Sequence, residues 1–251
     1  MRIQGLATAL LVFAAASAHA GILNLRWNAC LGDGGVANRN FACDTNSGSD
    51  VLVASFIPTT PVLGVDQMNA TVNISVPGPV PAWWQFRTSG SCRIGSLAVS
   101  TVPPATASAC IDWADGGRDG LSTYTIGGPL GAASSQISVQ SPLVASTPFD
   151  LVAGQEYFAF SATINHQKTV GAGACAGCVA GACMALVRVE LHRAAPQFPT
   201  DLFPSPYEQV TSWQGGAGIA VPNYGGTGFT ICPGATPTRA RTWGEVKSLY
   251  R

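Results

Sequence analysis

Charge is the scarcest property of this 251-residue chain. Only 10% of its residues are Asp, Glu, Lys or Arg, against about 25% in ordinary globular domains. The signs balance at 13 basic and 13 acidic side chains, so no field of one sign exists to draw a nucleic acid or an anionic membrane. A basic tail (Arg239, Arg241, Lys247, Arg251) is the exception, and a cluster that small reads as a solvated chain end. Beyond the first twenty residues no apolar run approaches the roughly 20 residues that a membrane helix needs. Long amphipathic helical patterns are also missing, which disfavours a parallel α/β fold. There is no repeat of solenoid or propeller period. Neither a Gly-x-Ser-x-Gly elbow, a His-Glu-x-x-His helix nor a Gly-rich phosphate loop occurs.

What is there begins with an export pattern. Met1-Arg2 precedes an apolar run from Leu6 to Ala16, and Ser17-Ala18-His19-Ala20 supplies an Ala-x-Ala site before Gly21. A positive start, a short apolar core and a small-residue site are the parts of a cleaved secretory signal. Residues 1–20 are therefore expected to be removed, leaving residues 21–251 as a single soluble domain in the periplasm or outside the cell.

That compartment governs how the cysteines are read. Cys30, Cys43, Cys92, Cys110, Cys175, Cys178, Cys183 and Cys232 form an even set, and an oxidising environment makes disulfides the first reading. Proximity suggests Cys30 with Cys43 and Cys92 with Cys110, leaving the last four to pair among themselves and tie the C-terminal segment to the body. The run Cys175-Ala-Gly-Cys178 could instead be a redox pair, but it wants a helix start and is surrounded by Gly171, Gly173, Gly177 and Gly181. A zinc site would need a second such pair, which is missing.

Apolar and polar residues alternate repeatedly, the signature of half-buried strands. From Met68 to Val76 the alternation points Met68, Ala70, Val72, Ile74 and Val76 inward and Asn69, Thr71, Asn73 and Ser75 outward. From Tyr157 to Ile164 it puts Phe158, Phe160, Ala162 and Ile164 on one face. Further strands are expected at 23–27, 51–56, 83–88, 94–102, 121–126, 136–139, 184–191, 208–213 and 227–232. Gly, Pro, Asn and Asp clusters such as Gly32-Asp33-Gly34-Gly35 punctuate them as turns. The fold class expected is all-β: a two-layer antiparallel β-sandwich, jelly-roll-like and disulfide-stapled. One helix signal closes the chain, where Thr242-Trp243-Gly244-Glu245 fits a capping box and Trp243, Val246, Leu249 and Tyr250 follow at helical spacing.

Candidate chemistry is sparse. Asp112, Asp115 and Asp119 on one Gly-rich loop could begin a Ca²⁺ site, although Arg118 sits among them and Asp and Gly are ordinary turn residues. Trp83-Trp84 would put one ring on each side of a strand, and the outward one could stack on a sugar or anchor a partner, with cross-strand packing as the alternative. Asn69-Ala-Thr71 and Asn73-Ile-Ser75 match the glycosylation acceptor pattern. After export only His166 and His192 remain as imidazole bases.

Two readings follow. The favoured one is an exported, non-catalytic sandwich that serves as a surface, structural or binding component, its partner a glycan or another extracellular protein. A carbohydrate-binding module using Trp83 or Trp84 is a variant of it. The rival is a secreted jelly-roll hydrolase, which requires His166 or His192 beside an acidic residue in a cleft.

Overall fold

A computed structural model describes residues 21–233, apart from 87–88, 117, 128–130, 144–146, 194–199, 203–208 and 225–227. The N-terminal export segment and the C-terminal helix signal lie outside the described residues.

The chain is nearly all β. One sheet has five strands: β1 (Gly21–Trp27), β3 (Ser49–Pro58), β10 (Tyr157–Asn165) and β5 (Leu97–Ser100) in that order, with β6 (Ile111–Asp112) also beside β10. The other has eight: β2 (Asn38–Arg39), β13 (Val210–Trp213), β11 (Ala182–Arg193), β4 (Val62–Ser75), β8 (Ser134–Pro142) and β7 (Leu121–Ile126), with β12 (Thr200–Leu202) beside β11 and β9 (Phe149–Leu151) beside β4. A separate hairpin joins β14 (Ala220–Pro222) to β15 (Phe229–Ile231). Pairing is antiparallel except for β6 on β10 and β2 on β13.

Inward side chains of both sheets share one apolar cluster, including Leu23, Leu25, Phe56 and Phe160 from the first and Met68, Val72, Ile74, Leu186 and Leu191 from the second. Alternation along β4 is as expected through Ile74. In β10 it is not. A β-bulge between Phe158 and Phe160 slips the register by one residue, so Phe158 lies opposite Ser55 while Phe160 lies opposite Ala54. Because side-chain direction has period two, one extra residue reverses the face. Phe160 therefore enters the main core, and Phe158 turns to the other side to pack with Cys30, Val53, Ala107 and Cys110.

Over the described residues 83–86 the expected strand does not form. Ala82–Trp84 form a single 3-10 turn after Pro81, and both tryptophans are fully buried. Trp83 stacks on Trp213 with centroids 5.2 Å apart, and Trp84 meets Phe86 edge-on at 5.8 Å. Arg93, itself fully buried, lies 3.7 Å over the Trp83 ring and donates to the Trp83 and Asn165 carbonyls. Burial lowers its pKa to about 10.

The bridges join Cys30 to Cys110, Cys43 to Cys178, Cys92 to Cys175 and Cys183 to Cys232. Proximity pairing of Cys30 with Cys43 and of Cys92 with Cys110 was wrong; of the last four cysteines only Cys183 and Cys232 pair together. Cys175 and Cys178 hold two different loops, through Cys92 and Cys43, beside the buried tryptophans. Trp213 Nε1 donates to the Cys178 carbonyl and the Trp83 amide to the Ala176 carbonyl. Gly177 makes this lid fit. It has φ +102, and a Cβ there would come within 2.4 Å of the Pro81 ring.

Candidate functional site

Trp83 and Trp84 carry no exposed ring, so neither serves as a stacking platform. The expectation failed because the segment folds inward as a turn, whereas a strand would have sent adjacent side chains to opposite faces.

Among the described residues Asp112, Asp115 and Asp119 are not brought together as a group. The Asp112 carboxylate lies 3.1 Å from Arg118 Nη2 and accepts from the Ala114 and Gly116 amides. Arg118 is buried over the Trp113 and Phe158 rings, at 5.3 and 5.4 Å, and burial lowers its pKa to about 10 against the pull of Asp112. Asp112 thus neutralises a buried cation. Among the described residues no group of three or more His, Cys, Asp or Glu side chains is placed to hold a metal ion.

Both histidines lie beside a carboxylate, in opposite settings. His166 follows β10, and its Nε2 is 2.8 Å from Asp50 Oδ2, with Nδ1 2.9 Å from the Ser47 carbonyl. Asp50 also accepts from Arg39 Nε. Phe41 covers the imidazole, with ring centroids 3.8 Å apart. Arg39 belongs to the eight-stranded sheet and Asp50 to the five-stranded one, so the cluster clamps the two together. Both ring nitrogens are taken up by protein oxygens and the residue is buried, so neither nitrogen is presented to a substrate.

His192, by contrast, lies on the outer face of the eight-stranded sheet. The registers of β11 on β4, β4 on β8 and β8 on β7 line up two rows across that face: Arg188–Thr71–Ser138–Thr123 and Glu190–Asn69–Gln140–Leu121. Gln67 pairs with His192 in the next row. Gln67 Nε2 donates to Asn69 Oδ1 at 2.9 Å, and Asn69 Nδ2 donates to His192 Nε2 at 2.9 Å, so the first bond orients the amide for the second. Glu190 sits between Arg188 (2.7 Å) and His192 (3.7 Å). Tyr224 borders the rows: Arg188 lies 4.2 Å over its ring and donates to its hydroxyl.

Only part of this outer face is open. A bulge between Leu186 and Arg188 separates its halves. Beyond it, Cys183, Ala185, Val187 and Val210 pack under the β14–β15 hairpin with Val221 and Cys232, and Asn73 Nδ2 donates to the Pro222 carbonyl. This buries Asn73 and takes it out of reach as a glycosylation acceptor.

A groove of about 220 Å³ runs between the outer strands β5 and β7, lined by Val99, Ser100, Thr101, Gly120, Ser122 and Val139. Neither histidine nor any carboxylate lines it, so it offers no acid–base pair. The polar rows were half legible, since Arg188-Val-Glu190-Leu-His192 alternates as plainly as Gln67-Met-Asn69-Ala-Thr71. Their juxtaposition was not, because register is set by pairing between distant segments. No family model, curated protein or solved structure matches the chain.

Proposed function

We propose that this is an exported, non-catalytic, two-layer β-sandwich of jelly-roll type that works as a binding component of the cell surface or its surroundings. The open half of the outer face of its eight-stranded sheet is the binding surface. The secretory pattern of residues 1–20 and the four disulfides support export. Among the described residues no helix is long and apolar enough to cross a membrane.

One observation carries the choice of surface. The same strands present an outer face that is roofed by a covalently tied hairpin at one end and open at the other, where polar side chains are hydrogen-bonded into fixed orientations. Side chains held in place before binding lose less entropy on meeting a ligand. Against the hydrolase reading stand the two occupied nitrogens of His166 and the absence of acid–base groups from the β5–β7 groove.

The test is a binding titration of the labelled full chain, matured through its own export, on cell envelopes and extracellular matrix of the producing organism. Saturable binding weakened at least tenfold by Asn69→Ala combined with Gln140→Ala is expected. Binding that ignores both substitutions, or turnover of ester, glycoside or peptide substrates lost with His192→Ala, would overturn the assignment.

A further inference from the structure

Resting on that reading of the open face, we infer that its ligand is a neutral, polyhydroxylated chain, a glycan without charged groups. Charge complementarity is the first argument. The face has one anion and one cation beside it, Glu190 and Arg188, and they are 2.7 Å apart and neutralise each other. A phosphate, a sulfated chain or an acidic peptide would find no unmatched cation in the two rows, and a basic partner no unmatched anion.

The second argument is the chemistry that remains. Thr71, Ser138, Thr123, Asn69 and Gln140 present hydroxyls and amides, each able both to donate and to accept, which is what a sugar hydroxyl requires of a partner. Among the described residues none hydrogen-bonds the side chains of Thr71, Thr123 or Gln140, so these groups are satisfied by solvent or by a ligand. Asn69 still has one amide hydrogen to give after meeting His192.

Geometry supplies the third. Neighbouring strands lie about 4.8 Å apart, so a chain laid along a row meets a fresh side chain at intervals comparable to a sugar ring. The rows are bounded by Tyr224 at the hairpin side and by the exposed Leu121 at the far strand, apolar surfaces suited to the C–H face of a ring.

The experiment probes an array of neutral polysaccharides (β-glucans, mannans, xylans, chitin) and of polyanionic ones (polygalacturonate, heparin) with the full chain matured by export. Hits are followed by calorimetric titration. Binding to a neutral glycan is expected, weakened about fivefold by Asn69→Ala or Gln140→Ala and about twenty-five-fold by both, as hydrogen bonds worth about 1 kcal/mol each imply. Val179→Ser, at an exposed site away from the rows, is expected to bind as the parent does, and melting temperatures verify that every variant folds. Neutral-glycan binding that is insensitive to both row substitutions, or binding confined to polyanions, overturns the inference. If no glycan binds while envelope binding persists and responds to Asn69→Ala with Gln140→Ala, the sugar class is wrong and the surface stands; if envelope binding is insensitive too, both fall.

Discussion

His166 and His192 each lie at the end of a long strand and each has a carboxylate close by, at 2.8 and 3.7 Å, yet they do different work. His166 is enclosed: Phe41 stacks on it, Ser47 and Asp50 take its two nitrogens, and Arg39 reaches Asp50 from the other sheet. His192 stands on an open sheet face, where it orients an amide. A histidine–carboxylate pair is thus a clamp or a surface according to what covers it. The covering comes from loops and hairpins far away in sequence.

The largest expected effect tests the enclosed side. Asp50→Asn removes the charge that Arg39 and His166 both face, and breaking a buried pair costs about 3–5 kcal/mol. Calorimetry under non-reducing conditions should show the melting temperature falling by about 10 °C. Gln140→Ala, at an exposed position of the open face, should cost about 0.5 kcal/mol or less. Equal losses at the two sites would erase the distinction between them.

Next comes the boundary between the roofed and open halves of the sheet face. Replacing Cys183 and Cys232 together by Ala frees the hairpin, at about 2–4 kcal/mol. Amide exchange of Ala185 and Val187 should quicken while that of Asn69 and Thr71 stays unchanged. Uniform acceleration along β4 and β11 would mean that the hairpin holds the whole sheet and is not a local roof.

A smaller effect distinguishes the two faces of one strand. Tyr124 points inward and donates to the Trp84 carbonyl, and burial pushes its pKa far above the ordinary phenol value. The unfolded chain therefore ionises first, so the stability this group contributes is whole below about pH 10 and is lost as pH rises beyond it. Tyr124→Phe should lower stability at neutral pH by about 1 kcal/mol and flatten that alkaline loss. Arg93 and Arg118, lowered to about 10, act with the opposite sign over the same window, so the difference between variant and parent isolates the tyrosine. Thr123→Ala, one residue away and facing out, should change stability by less than about 0.5 kcal/mol.

The smallest stability change is expected at His192→Ala, again within about 0.5 kcal/mol, accompanied by weaker ligand binding as Asn69 loses its acceptor. A fall as large as that of Asp50→Asn would place His192 with the clamps.

Much of the fold was legible residue by residue. The strands at 121–126 and 68–76 follow from alternation alone, and β7 begins and ends where its pattern does. Phe158 was misread because a single bulge reverses the phase while leaving the composition unchanged. Trp83 and Trp84 were misread because nothing local distinguishes an outward strand aromatic from a turn folded under a disulfide-tied lid. The site residues Asn69 and Thr71 were correctly assigned outward, but the meeting of Gln67, Asn69 and His192 spans more than a hundred residues and has no local signature.

By itself the sequence determined that this protein is built of strands, that it carries few charges of either sign and that its eight cysteines pair. These are consequences of period-two alternation, composition and an even cysteine count, all of which are local or additive. Tertiary structure alone decided which cysteines pair, which histidine is sealed and which half of an outward face stays open. Each of those depends on contacts between distant segments, where one inserted residue or one covering hairpin reverses the outcome.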